Sequence, residues 1–180
     1  MTNAKSFKRH WVAVVVAGLA LSANTGGSAA RESSRPPLGL QLYCLQHPNE
    51  CQHSGNSSVE TSNDLLDLLR QVNRHVNAAI TPRADGAVDR WQSGASSGDC
   101  EDYVMTKRQM LIGRGIPGGA LRVAYTKTRS GEGHAILVVH TEMGDLVLDN
   151  LVGSIKPLAE TGYRVERISS SNLLTWTSFR

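Results

Sequence analysis

The sequence is poor in several things that would have settled its class at once. Aromatic residues make up 5% of the chain, there are only three cysteines, and no Cys-x-x-Cys or other close ligand pair offers a zinc site. Charge of one sign is also missing as a resource. The formal net charge is +3, and of the 19 basic residues three lie in the first 30 positions, which carry no acid, so the remainder balances 16 against 16. That balance argues against nucleic acid as a partner, because phosphate-backbone affinity needs a basic surface. No internal repeat is present. With 180 residues and 40% hydrophobic content, the chain supports one modest core.

Long apolar runs are absent after the first 30 residues. Before that, Lys5, Lys8 and Arg9 precede an apolar run from Trp11 to Leu21, too short to span a bilayer and followed by Ser28-Ala29-Ala30. This reads as a signal peptide over 1–30 cleaved after Ala30, with an uncleaved anchor as the alternative. Residues 31–180 are then expected to form a single exported domain, in a bacterial periplasm.

Export makes a disulfide the natural state of a thiol pair. Cys44 and Cys51 lie seven positions apart around Pro48-Asn49, which favours a turn, so they are the expected pair, with two reduced thiols as the alternative. Cys100 is left over.

Leu65, Leu69, Val72 and Val76 recur at helical spacing after Thr61-Ser62-Asn63, and Pro82 ends that helix. The stretch from Asp85 to Ser97 has no period and reads as loop. A second helix is expected over 100–112, opened by Gly98-Asp99 and stopped by Gly113, Gly115 and Pro117. Strands are expected over 121–126, 134–141, 146–151 and, shorter, 163–168, joined by connections too short for parallel crossovers. Helices followed by a strand meander give an α+β class.

Cys100 sits in the first turn of its helix, where free N–H groups favour a thiolate nucleophile. His134 opens a strand after Gly131-Glu132-Gly133 and is the candidate base. Asp149, at the end of Leu146-Val147-Leu148-Asp149, is the candidate orienting acid. If residues 141–144 form the hairpin loop, His140 faces Asp145, Ile136 faces Asp149, and His134 and Asp149 become diagonal neighbours on one face. A tight Met143-Gly144 turn would separate them. His47, His53, His75 and His140 have no obvious partners and read as surface or packing residues, and Trp91 as a core anchor or a cleft wall.

Gly98-Asp99-Cys100-Glu101-Asp102-Tyr103, Gly131-Glu132-Gly133-His134-Ala135 and Gly144-Asp145-Leu146-Val147-Leu148-Asp149-Asn150, in that order, resemble the bacterial transglutaminase-like cysteine peptidase family from about Cys44 to Trp176. The resemblance implies a papain-like, transglutaminase-type core: a helix bearing the nucleophile packed on an antiparallel sheet that carries His134 and Asp149. It implies a thiol peptidase of the periplasmic adhesin-cleaving type, concerned with biofilm release, and an inner-membrane cyclic-diguanylate receptor as regulatory partner. It also implies calcium, held by the acids beside the cysteine, here Asp99 and Glu101. Those acids suit a helix start without any metal, and that alternative stays open. Two further readings remain: a transglutaminase or amide acyl transferase using the same acyl-enzyme, and a non-catalytic binding module on the same fold.

Overall fold

The computed structural model describes residues 1, 31–52 and 54–179. The expected signal peptide over 1–30, apart from Met1, lies outside the described residues, as does His53. No described helix is long and apolar enough to cross a membrane.

The elements run β1 (Arg31–Ser34), α1 (Leu38–Gln46), α2 (Pro48–Cys51), α3 (Asn63–Ala79), β2 (Thr81–Pro82), β3 (Ser97–Gly98), α4 (Cys100–Gly113), β4 (Leu121–Lys127), β5 (Gly133–Thr141), β6 (Gly144–Leu148), β7 (Lys156–Pro157), β8 (Arg167–Ser169) and β9 (Trp176–Phe179). Seven of the strands form one antiparallel sheet in the order β1-β9-β8-β4-β5-β6-β7. The class is α+β, as the order of segments implies.

α3 forms where the period predicts it. Ser62 caps it, its hydroxyl accepting from Leu65 N at 3.1 Å, and Leu65, Leu69, Val72 and Val76 are buried along one face. α3 and α4 pack on the sheet face formed by Leu121, Val123, Ala135, Leu137 and Val139. The alternate residues Ala124, Ile136, Val138 and Val147 face the other way, beneath Leu158, Tyr163, Val165 and Ile168. β5 therefore lies between two apolar layers, and its Ala-Ile-Leu-Val-Val run has no polar side to show.

Four expectations need correction. The Cys44–Cys51 disulfide is present, but it ties two helices together, because Pro48 occupies the first turn of α2, where its missing N–H costs nothing. The third strand ends at Leu148, since the Leu151 N–H turns back to the Asp149 side chain at 2.9 Å. The fourth strand is Arg167–Ser169, displaced from 163–168 because Tyr163 and Val165 are spent covering the outer sheet face. The loop over 85–97 is bracketed by a two-residue parallel pairing, Thr81 with Ser97 and Pro82 with Gly98.

Arg108, fully buried on α4, joins three separate parts of the chain. Its Nε donates to Leu121 O at 3.3 Å, Nη2 to Gly118 O at 3.2 Å and Nη1 to Glu50 O. Arg108→Met should remove these three hydrogen bonds from the interior and cost about 3–5 kcal/mol. Urea unfolding at neutral pH would measure it, and a loss within about 1 kcal/mol would show that water replaces the guanidinium.

Candidate functional site

Gly98 and Asp102 build the start of α4. The Asp102 carboxylate accepts from Asp99 N at 3.3 Å and from Gln92 N at 2.8 Å. It packs so closely on Gly98 that a Cβ there would lie 1.9 Å from its Oδ2, so only glycine fits. Burial raises the Asp102 carboxyl to about 6, against the pull of the Gln92 N–H.

Cys100 begins α4 directly after this cap and is half-buried. Its Sγ donates to Glu101 Oε2 at 2.9 Å, and Glu101 Oε1 accepts from Tyr125 OH at 2.9 Å. Burial pushes the thiol well up, and the Glu101 charge and hydrogen bond push it further; the Ala135 N–H, facing the sulfur, pulls the other way. The helix start alone suggests a thiolate. Here a carboxylate beside a desolvated sulfur outweighs the dipole and keeps the thiol protonated.

β5 and β6 position the other two residues. His140 pairs with Asp145 and Leu137 with Leu148, the register that sets Ile136 level with Asp149. The loop itself is shorter than expected, because Thr141 also pairs with Gly144 and leaves Glu142-Met143 as the turn. Gly144 takes φ 122°, a conformation suited to glycine, and lets the strand return without a slip. His134 Nε2 lies 2.8 Å from Asp149 Oδ1, and both side chains are 3% exposed. This leaves Nδ1 as the ring nitrogen not engaged by Asp149. α4, which Cys100 begins, packs against β5, which carries His134.

Asp149 is held on every side. Tyr163 OH donates to Oδ2 at 2.6 Å, Leu151 N to Oδ1 at 2.9 Å, and Asn77 Nδ2 to its backbone oxygen at 2.9 Å. Burial would raise this carboxyl, but the hydrogen bonds from His134, Tyr163 and Leu151 outweigh it and hold the group below its ordinary value. Tyr163 also stacks obliquely by the His134 ring, centroids 5.8 Å apart. Sequence reasoning missed Tyr163, Asn77 and Tyr125. It also left His140 unpartnered, whereas His140 Nδ1 meets Asp145 Oδ1 at 2.5 Å, across the same register that aligns Asp149.

Among the described residues no three His, Cys, Asp or Glu side chains converge on a metal position. Asp99 and Glu101 nevertheless fit a cation in part. Asp99 Oδ1 is buried without a hydrogen-bond partner, and the Glu101 carboxyl is raised by burial and by Asp99 beside it. Both are carboxylates short of positive charge.

The family model of the bacterial transglutaminase-like cysteine proteinases matches residues 30–180. No curated protein matches the sequence significantly. Among solved structures, Legionella pneumophila LapG in its calcium-bound form is 25% identical with a TM-score of 0.52, over 58% of this chain and 64% of that chain. EGTA-treated LapG gives 25% and 0.51, over 58% and 62%. The match thus spans less than two thirds of LapG's length.

Proposed function

The chain belongs to the bacterial transglutaminase-like cysteine proteinase family, and from that premise we propose that it is an exported thiol peptidase with Cys100 as nucleophile, His134 as base and Asp149 as orienting acid. The observation that carries the reading is the buried His134–Asp149 hydrogen bond of 2.8 Å, with His134 on β5, the strand against which α4, headed by Cys100, packs.

In this reading His134 Nδ1 takes the thiol proton, and the sulfur adds to the substrate carbonyl. The imidazolium then protonates the departing amine, leaving a thioester on Cys100. Water, deprotonated by the same ring, hydrolyses the thioester and restores the thiol. Asp149, fixed by Tyr163, Leu151 and Asn77, keeps the ring in one orientation throughout. An amine in place of water would give acyl transfer from the same intermediate.

Calcium belongs to this proposal through Asp99 and Glu101, as does the calcium-bound form of LapG. Bound there, it would supply positive charge beside the helix start. The family resemblance extends the proposal to a periplasmic location, a large surface adhesin as substrate and a cyclic-diguanylate receptor as regulator, with residues 31–180 acting as one domain.

The test is iodoacetamide labelling of Cys100 against pH, with calcium, with EGTA, and in His134→Ala. The calcium-loaded protein should label rapidly well below the free-thiol pKa of ~8.5, and EGTA or loss of His134 should confine labelling to alkaline pH. Slow labelling that is indifferent to His134 would overturn the reading. That result would favour the non-catalytic module, for which the Cys100–Glu101 bond is the one supporting observation.

A further inference from the structure

Beyond the His134–Asp149 pair the surface opens into a cleft of about 680 Å³, a volume in the range of ligand sites. Asp149 and Tyr163 form part of its wall, so it adjoins the candidate chemistry directly. Val147, Leu151 and Val152 give it an apolar side, and Lys127, Arg129 and Lys156 a basic one.

Two properties mark it as built to receive something. The first is that its apolar side is held rigid while exposed. Leu151 is 60% exposed, yet the segment bearing it is anchored by Leu151 N to Asp149 Oδ1 at 2.9 Å and by Asn73 Nδ2 to Val152 O and Gly153 O at 3.3 and 3.2 Å. An exposed aliphatic side chain gains by being covered, and the anchored backbone beneath it lowers the cost of ordering that surface. The second is an unmatched charge. Lys127 is neutralised by Glu166 at 3.2 Å, but Arg129 and Lys156 make no ion pair among the described residues. The acid in the wall, Asp149, is already occupied by His134, Tyr163 and Leu151.

Reaction chemistry sets the direction of the bound chain. His134 must protonate the leaving amine, so the half of the substrate that carries this amine passes over the imidazole. The cleft adjoins that imidazole through Asp149, hydrogen-bonded to it, and Tyr163, whose ring lies beside it, both of which line the cleft. We propose that this cleft binds the substrate segment C-terminal to the cleaved bond and selects there an acidic side chain next to an aliphatic one; the assignment rests on the peptidase reading above.

The experiment is cleavage of a proteome-derived peptide library by the calcium-loaded protein, with the new N-terminal fragments sequenced by mass spectrometry, beside the double variant Arg129→Glu/Lys156→Glu. Both positions are exposed, so the variant should fold, and circular dichroism is the check on that. In the wild type, Asp and Glu should be enriched about three- to fivefold within the first few residues after the cut, the discrimination expected of solvent-exposed ion pairs. In the double variant that enrichment should vanish and Lys and Arg should rise instead. Cleavage without acidic enrichment, or with the same enrichment in the double variant, overturns the cleft assignment and leaves the peptidase reading standing. No cleavage by the wild type overturns both.

Discussion

Asp149→Ala should lower kcat/KM for peptide cleavage by about 10³–10⁴-fold, the scale set by removal of an orienting carboxylate from a catalytic triad. Asp149→Asn should lose no more than about tenfold, because a thiolate–imidazolium pair needs its ring oriented more than it needs a counter-charge, as the Cys-His-Asn arrangement shows. The local hydrogen bonds support this difference. An asparagine Oδ1 can accept from both His134 Nε2 and Leu151 N, which now converge on Asp149 Oδ1 at 2.8 and 2.9 Å. Its Nδ2 then faces the Tyr163 hydroxyl, which now donates to Oδ2 at 2.6 Å and is able to accept instead. Alanine offers none of these and also frees the turn after β6. Steady-state kinetics on any cleaved peptide, with circular dichroism to confirm folding, separates the cases. Equal losses in Asn and Ala would show that the negative charge, and not orientation, is what Asp149 contributes.

The surroundings of Asp149 are only partly legible in the sequence. The hairpin register was legible from the wider loop, which sets His140 opposite Asp145, although strand periodicity alone also allowed a tight turn four positions away on the same face. What Asp149 touches was not legible. Tyr163 lies in an irregular stretch after Gly162, which takes φ 76°, and nothing local says that such a segment folds back over the sheet. The outer edge of the sheet was hidden for a related reason. β1 pairs with β9 between Arg31 and Phe179, a contact across most of the chain that leaves no periodic trace in four-residue strands. α1 escaped notice because Leu38, Leu42 and Leu45 are exposed while Leu40, Tyr43 and Cys44 are buried, so its apolar residues do not mark one face. In α4 the signal is inverted, with Lys107 and Arg108 fully buried where a sequence reading assigns charge to solvent.

Lys107→Met should stabilise the protein at neutral pH, and by more than most single substitutions do. Lys107 is fully buried, its Nζ has no hydrogen-bond partner, and its nearest ring is Tyr103 with the centroid 5.8 Å away. Burial lowers its pKa to about 7, and the charge of Asp149 only partly opposes this. Below pH 7 the amine is protonated in both folded and unfolded chains, and folding bears the full cost of desolvating it. From about 7 to 10.5 the folded chain has released the proton and the unfolded chain still holds it, so stability climbs with pH across that window. Above it the two states no longer differ. The depression corresponds to something on the order of 5 kcal/mol. After the loss of the Tyr103 contact, the methionine should retain about 2–4 kcal/mol of gain near pH 6–7, a rise in melting temperature of roughly 5–15 °C. The advantage over wild type should shrink steadily toward pH 10. A gain independent of pH would mean that packing and not the ammonium is responsible, and a loss at pH 7 would mean that the amine has a partner worth more than its desolvation. The charge that offsets part of this cost is that of Asp149, the acid that orients His134 in the proposed mechanism. The stabilised variant should therefore cleave peptides more slowly than wild type.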